Sequence, residues 1–278
     1  MKTAVILGAG QMSKKLATLL NKNHIRLLAY GDNNPACRNN CGSVPVLSVE
    51  EALALLPDMA FISVANSERS QALAQQARTL GYAGKVVALS DAALCFDLRA
   101  AVLQGLPARL NHIEGDIAEL GVYQGDFAWQ LNLVFPERRL HLFDTFSGFD
   151  EADLAVETAA VQQQAKLDFS DTSVAAVLAR MPHPEQVVLH AGRFPESAAA
   201  LERRFALVSI DADLYTPTLA ALHYFLPRMS RGGMLLVHDY ANPRFPGVAQ
   251  AVRDYEAEYG ALALLPLPDL HGTAAIIV

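Results

Sequence analysis

Acidic residues recur where a run of apolar residues gives way to a turn, which is where a fold of alternating strands and helices keeps its chemistry. Asp211 follows the run Phe205–Ile210, and Asp239 follows Met234–His238, so two expected strands end beside carboxylates. Loops at the carboxyl ends of parallel strands line the ligand crevice, and two carboxylates meeting there repel unless a cation or a proton intervenes. Asp213 belongs to the same cluster as a candidate catalytic group, its other reading being the N-cap of a helix from about Thr216. His238 has three readings: metal ligand, general base in place of a metal, or a satisfied histidine at a strand end. Upstream, Glu119-Leu120-Gly121-Val122-Tyr123-Gln124-Gly125 ends one strand and starts a helix, and Asp144 ends the next strand. Carboxylates at those two places suit a nucleoside with a cationic tail and no phosphate: Glu119 lies near the tail and Asp144 accepts from the ribose hydroxyls.

A second glycine loop, Gly8-Ala9-Gly10-Gln11-Met12-Ser13, follows the expected strand Thr3–Leu7 and opens a helix through Asn21, with Asp32 after the strand Ile25–Tyr30. Such a loop cradles a pyrophosphate on backbone N–H groups, but Ser13 stands where the third glycine of a dinucleotide fingerprint belongs. The loop reads equally as a ligand site and as a fold that docks a neighbour.

These residues need alternating strands and helices to position them. In the first ninety residues the pattern continues with a helix capped by Ser48, strand Ala60–Val64, helix Ser67–Leu80 and strand Lys85–Leu89. Ser90–Leu110 is expected to be mostly helical. From Gly115 the alternation restarts with strand Ile117–Leu120, helix Asp126–Val134 and strand Leu140–Phe143. After a long polar stretch come helix Thr172–Met181, strand Gln186–His190, helix Glu196–Leu201, strand Phe205–Ile210, helix Thr216–Met229, strand Met234–His238 and helix Val248–Tyr259. Two last strands, Ala261–Leu265 and Thr273–Val278, pair antiparallel at the sheet edge. The expected fold is α/β with two doubly wound domains, a Rossmann-like domain over 1–92 and a larger one over 115–278, joined by a helical linker over 93–114. Phe149–Lys166, rich in acidic residues and glutamine, reads as a lid over the crevice or a solvated connection.

The stretch Gly115–Tyr255 resembles the macrocin O-methyltransferase family. The matching segments are Glu119-Leu120-Gly121-Val122-Tyr123, Leu142–Phe149, Asp168–Ser173, Gly192-Arg193-Phe194-Pro195, Asp211-Ala212-Asp213-Leu214-Tyr215, Gly232-Gly233 and His238-Asp239-Tyr240. The resemblance implies a class I methyltransferase domain with a mostly parallel seven-stranded sheet. It implies S-adenosylmethionine as methyl donor, magnesium at the mouth of the sheet, and a small-molecule hydroxyl substrate, sugar-containing, as acceptor. It assigns cofactor contacts to Glu119, Gly121, Val122, Tyr123, Asp144, Thr145, Phe146, Ser170, Gly192, Arg193 and Phe194, and metal contacts to Asp211 and Asp239, with His238 as a third metal ligand only on the first of its three readings. The departure is His238, where the family usually has an aspartate. Residues 1–95 lie outside the match and resemble the short Rossmann-like N-terminal domain of sugar acyltransferases. Two rivals remain at this point: an NAD(P)-dependent sugar-nucleotide enzyme and a noncatalytic binding protein that keeps the methyltransferase fold.

Composition bounds the partners. Of 278 residues 52% are hydrophobic and 18% charged, which fills cores without approaching the roughly 20 uninterrupted apolar residues of a membrane span. The net charge of −7 argues against nucleic acid. Residues 1–95 hold 9 of the 22 basic and 6 of the 29 acidic residues, so the acidity belongs to the C-terminal part. Three cysteines, Cys37 and Cys41 among them at C-x3-C spacing, suit plain loop residues better than zinc. A cytoplasmic enzyme, with homo-oligomers admitted, is the expectation.

Overall fold

A computed structural model describes residues 1–39, 44–64, 66–91, 98–165, 169–267, 269 and 272–278. The chain forms two units, Met1–Asp97 and Leu98–Val278. The first contains β1 (Lys2–Leu7), α1 (Gln11–Leu19), β2 (Ile25–Gly31), β3 (Val46–Leu47), α2 (Val49–Ala54), β4 (Met59–Ile62), α3 (Ser67–Thr79) and β5 (Lys85–Ala88). Its five strands lie in the order β3-β2-β1-β4-β5, and every pair is parallel. Residues of β1 alternate between two cores as the pleat requires: Val5 and Leu7 pack with Val49, Leu53 and Ala77 of α2 and α3, whereas Ile6 packs with Leu16 of α1. The Ser48 cap forms with its reciprocal Glu51 contact, a complete capping box. Cys37 is half-buried in the 3₁₀ turn Pro35–Asn39, and Cys41 lies outside the described residues.

The second unit runs through α4 (Leu98–Leu110), β6 (Asp116–Leu120), α5 (Asp126–Val134), β7 (Leu140–Asp144), α6 (Glu151–Leu154), α7 (Ala159–Ala165), α8 (Val174–Arg180) and β8 (Val187–Ala191). It continues with β9 (Phe205–Ile210), α9 (Tyr215–Phe225), β10 (Met229–Val237), α10 (Pro246–Tyr259), β11 (Leu264–Pro266) and β12 (Ala274–Ile277). Seven strands lie in the order β11-β12-β10-β9-β6-β7-β8, parallel except that β12 runs antiparallel to both neighbours. One face carries Ala118, Leu120, Phe143 and Val208 against Leu222, Phe225 and Val252 of α9 and α10. The other carries Ile117, Leu142 and Leu207 against α4, α5 and α8. Strand order reverses between β6 and β9, which opens the crevice at their carboxyl ends.

Several local expectations need correction. The helix assigned to a linker over 93–114 belongs to the second unit, because Leu103, Leu106 and Leu110 of α4 are buried in its core; residues 92–97 lie outside the description. Glu196–Leu201 forms only the 3₁₀ turn Glu196–Ala198, and the first edge strand starts at Leu264 rather than Ala261. Within the polar insertion, α6 and α7 form, and Phe149, Leu154 and Val161 pack onto the core. The insertion is therefore anchored by apolar contacts, although Lys166 and Asp168 fall outside the described residues.

Candidate active site

Register brings the acidic strand ends together. Leu120 pairs with Ile210 and Ile210 with Val237, so Gly121, Asp211 and His238 emerge side by side from three adjacent strands. Gly121 has φ +84, and a Cβ there would lie 2.0 Å from the Asp211 carbonyl oxygen, so only glycine lets the two strand ends approach. The residues surround a cavity of about 420 Å³. Tyr123, Phe169, Asp213 and Asp239 all line it with positive φ, a backbone strain that collects at sites which need fixed geometry.

One wall is the loop after β6. Glu119, 1% exposed, faces the cavity from the last turn of the strand. Asp144 clamps this loop to the next: one carboxylate oxygen accepts from the N–H groups of Val122 (2.7 Å) and Tyr123 (2.9 Å), the other from Phe146 N–H (2.6 Å). With a longer bond from the Thr145 hydroxyl at 3.4 Å, four donors meet the about four acceptor sites of this carboxylate. Thr145, Gly192, Arg193 and Phe194 also line the cavity, with Arg193 held by Asp153 at 2.6 Å. Of the expected cofactor contacts, Phe146 and Ser170 are not on the cavity wall: Phe146 packs toward the core and Ser170 is exposed, while Phe169 occupies the wall instead.

The opposite wall is an ionic cluster. Asp211 Oδ2 lies 2.5 Å from Arg99 Nη1 and Asp211 Oδ1 lies 2.6 Å from His238 Nδ1. The same His238 nitrogen is 3.1 Å from Asp239 Oδ2, and the Asn242 side-chain amide donates to Asp239 Oδ1 at 2.6 Å. Burial works against ionisation of both Asp211 and His238, but each overcomes it through the other: the charges of His238 and Arg99 hold Asp211 far below the usual carboxylate range, and Asp211 with Asp239 pushes His238 up to about 10. Burial, a hydrogen bond to Asp239 and the charges of Asp211 and Asp239 raise Asp213 well above its ordinary value. Burial would raise Asp239 too, yet the His238 and Asp213 contacts keep it low.

Asp213 is not the helix cap that its spacing suggests. Leu214 occupies that position, and the first N–H of α9, from Tyr215, donates to Glu157 of the insertion at 2.6 Å. Arg99 escaped sequence reasoning because it lies 112 residues from Asp211 on a helix taken for a linker; its guanidinium also sits 4.5 Å above the Phe127 ring. In the first unit, Asp32 Oδ2 accepts from Ala9 N–H at 2.7 Å, and the Ser13 hydroxyl, fully buried, donates to the Gly10 carbonyl.

The strand order is that of the class I methyltransferase fold. Residues 97–274 match the family model described as Macrocin-O-methyltransferase (TylF), and the chain belongs to that family. One relative, the 8-demethyl-8-(2,3-dimethoxy-alpha-L-rhamnosyl)-tetracenomycin-C 4'-O-methyltransferase of Streptomyces olivaceus, is 28% identical over 175 residues, 58% of this chain and 64% of that protein. A second, the mycinamicin III 3''-O-methyltransferase of Micromonospora griseorubida, is 28% identical over 163 residues, 53% of this chain and 63% of that protein. The chain thus spans slightly under two thirds of the length of both. The O-methyltransferase NovP shares the fold with a TM-score of 0.56 at 22% identity, over 64% of this chain and 78% of its own. The calicheamicin methyltransferase CalS11 does so with a TM-score of 0.53 at 20% identity, over 82% and 91%. Among the described residues no helix is long and apolar enough to cross a membrane.

Proposed function

We propose that the protein is an S-adenosylmethionine-dependent O-methyltransferase acting on a hydroxyl of a sugar-containing small molecule. The observation that carries this reading is the cavity at the β6–β9 switch point, walled by buried Glu119 and the Asp144 clamp on one side and by the Asp211 cluster on the other. The residues suit the cofactor chemically: a buried carboxylate favours a sulfonium cation, and no phosphate is present to be repelled by it. When bound, S-adenosylmethionine supplies an electrophilic methyl group. Gly121 and Val122 present loop backbone toward the cofactor, Asp144 keeps that loop in place, and Phe194 and Phe169 exclude water from the cavity.

On transfer, the acceptor oxygen supplies the electron pair of the new C–O bond, and the C–S electrons return to sulfur. The hydroxyl proton passes to a remaining lone pair of the Asp211 carboxylate; Arg99 and His238 make that carboxylate a weak base, which suffices only because an oxygen already bonding to the methyl carbon is far more acidic than an alcohol. The sugar assignment draws on the name of the Streptomyces olivaceus relative, whose substrate carries a rhamnosyl group. The test is incubation with S-adenosylmethionine and a panel of deoxysugar glycosides, read by mass spectrometry. A product one methylene heavier at a sugar hydroxyl is expected; methylation confined to non-sugar phenols in a matched panel would overturn the sugar assignment.

A further inference from the structure

Asp211, His238 and Asp239 offer three donor atoms within 4.8 Å of one another, the spacing a divalent cation would need. Their contacts do not suit magnesium. Both oxygens of Asp211 are already engaged, Oδ2 by Arg99 at 2.5 Å and Oδ1 by His238 at 2.6 Å. Asp239 is engaged likewise, by Asn242 at 2.6 Å and by His238 at 3.1 Å. The His238 ring nitrogen lies 2.6 Å from an Asp211 oxygen and 3.1 Å from an Asp239 oxygen, so it sits between the two carboxylates where an ion would have to enter. The third corner is nitrogen, whereas magnesium prefers oxygen and a near-octahedral shell. An ion bound to Asp211 would also lie within a few ångströms of the Arg99 guanidinium, and like charges at that range in a buried site repel strongly.

We infer that Arg99 and His238 fill the place of the divalent cation, pairing Asp211 and Asp239 so that the site is complete without metal. Arg99 acts as a positioning residue: it reaches Asp211 from α4, is braced on Phe127, and fixes the carboxylate at the cavity wall. His238 does the same from the end of β10, bridging Asp211 to Asp239. The inference rests on the methyltransferase reading, and the experiment separates the two.

Melting temperatures are measured for the whole protein with S-adenosylhomocysteine alone, then with added magnesium or manganese, for the wild type and for His238→Asp. Turnover is followed with and without chelator. A ligand that binds only the folded state raises the melting temperature by mass action. Wild type is expected to rise with S-adenosylhomocysteine, to show no further rise with either ion, and to keep its turnover under chelator. His238→Asp, which puts an oxygen donor at the third corner and removes one of the two cations, is expected to gain an ion-dependent rise. A wild-type rise with either ion, or turnover lost to chelator and restored by metal, overturns the inference. A variant as indifferent to ions as the wild type overturns the part assigned to His238. Absence of any rise with S-adenosylhomocysteine overturns the cofactor reading instead.

Discussion

Two glycine loops in this chain use one device for different ends. In each unit an aspartate after the second strand reaches back to the loop after the first: Asp32 accepts from Ala9 N–H, and Asp144 from Val122 and Tyr123 N–H. The surroundings differ. Gly121 sits against the Asp211 carbonyl with no room for a Cβ, beside a buried glutamate and an ionic cluster, whereas at its counterpart Gly8, also at positive φ, a Cβ would meet only the Ser63 and Val64 side chains, at 3.1 Å. A glycine loop in a Rossmann-like fold is thus common scaffolding. What makes it a site is the register that brings a second and a third strand end into contact with it.

The comparison is sharpened most by removing the group unique to the second unit. Asp211→Ala is expected to lower kcat by on the order of 10³-fold while S-adenosylhomocysteine affinity changes little, since the carboxylate faces the acceptor. Isothermal titration beside kinetics checks it, and equal loss of both would move Asp211 from proton acceptor to cofactor support. Next come the two glycines. Gly121→Ala is expected to cost roughly 3 kcal/mol in denaturant unfolding, from a backbone clash at positive φ, while Gly8→Ala, which meets only side chains, costs about 1 kcal/mol. Similar losses would mean that the loops are equally constrained. The aspartates give a smaller contrast: Asp144→Asn is expected to weaken S-adenosylhomocysteine binding by roughly 10-fold by loosening the loop that Val122 and Tyr123 form, and Asp32→Asn to leave it unchanged.

The smallest effect concerns pH. His141, 2% exposed, contacts His190 at 3.0 Å and Asp116 at 3.1 Å. Burial holds both imidazoles below their usual range; Asp116 works the other way on His141, and the His141 charge adds to the effect on His190. The unfolded chain takes up protons on these residues near pH 6.5 while the folded chain stays neutral. Stability is therefore full above that pH and falls below it. The melting temperature is expected to drop by a few degrees between pH 7 and 5, and His190→Gln, which cannot titrate there, to flatten the drop. An unchanged slope in the variant would remove His190 from the account.

Much of this was legible in the sequence because apolar runs ending in Asp144, Asp211 and Asp239 mark strand ends directly, and parallel strands gather their ends on one edge. Ser48 marked the start of α2 for the same local reason, and its reciprocal partner Glu51 appears only in the structure. What stayed hidden depends on partners far along the chain. Arg99 reaches Asp211 across 112 residues, and Glu157, 58 residues before Tyr215, takes the helix terminus that Asp213 seemed placed to cap. The Phe194 and Arg193 loop could be matched by segment, but its grip on Asp153 of the insertion could not. Glu196–Leu201 has a helical composition, yet only a single 3₁₀ turn forms there.

Isothermal titration of the wild-type protein with S-adenosylhomocysteine, with a nicotinamide dinucleotide as the control ligand, bears most directly on the claim that the second unit's strand-end cavity holds the methyl donor. One S-adenosylhomocysteine per chain and no heat from the dinucleotide is the expected result; no heat from S-adenosylhomocysteine, or binding of the dinucleotide alone, would contradict it.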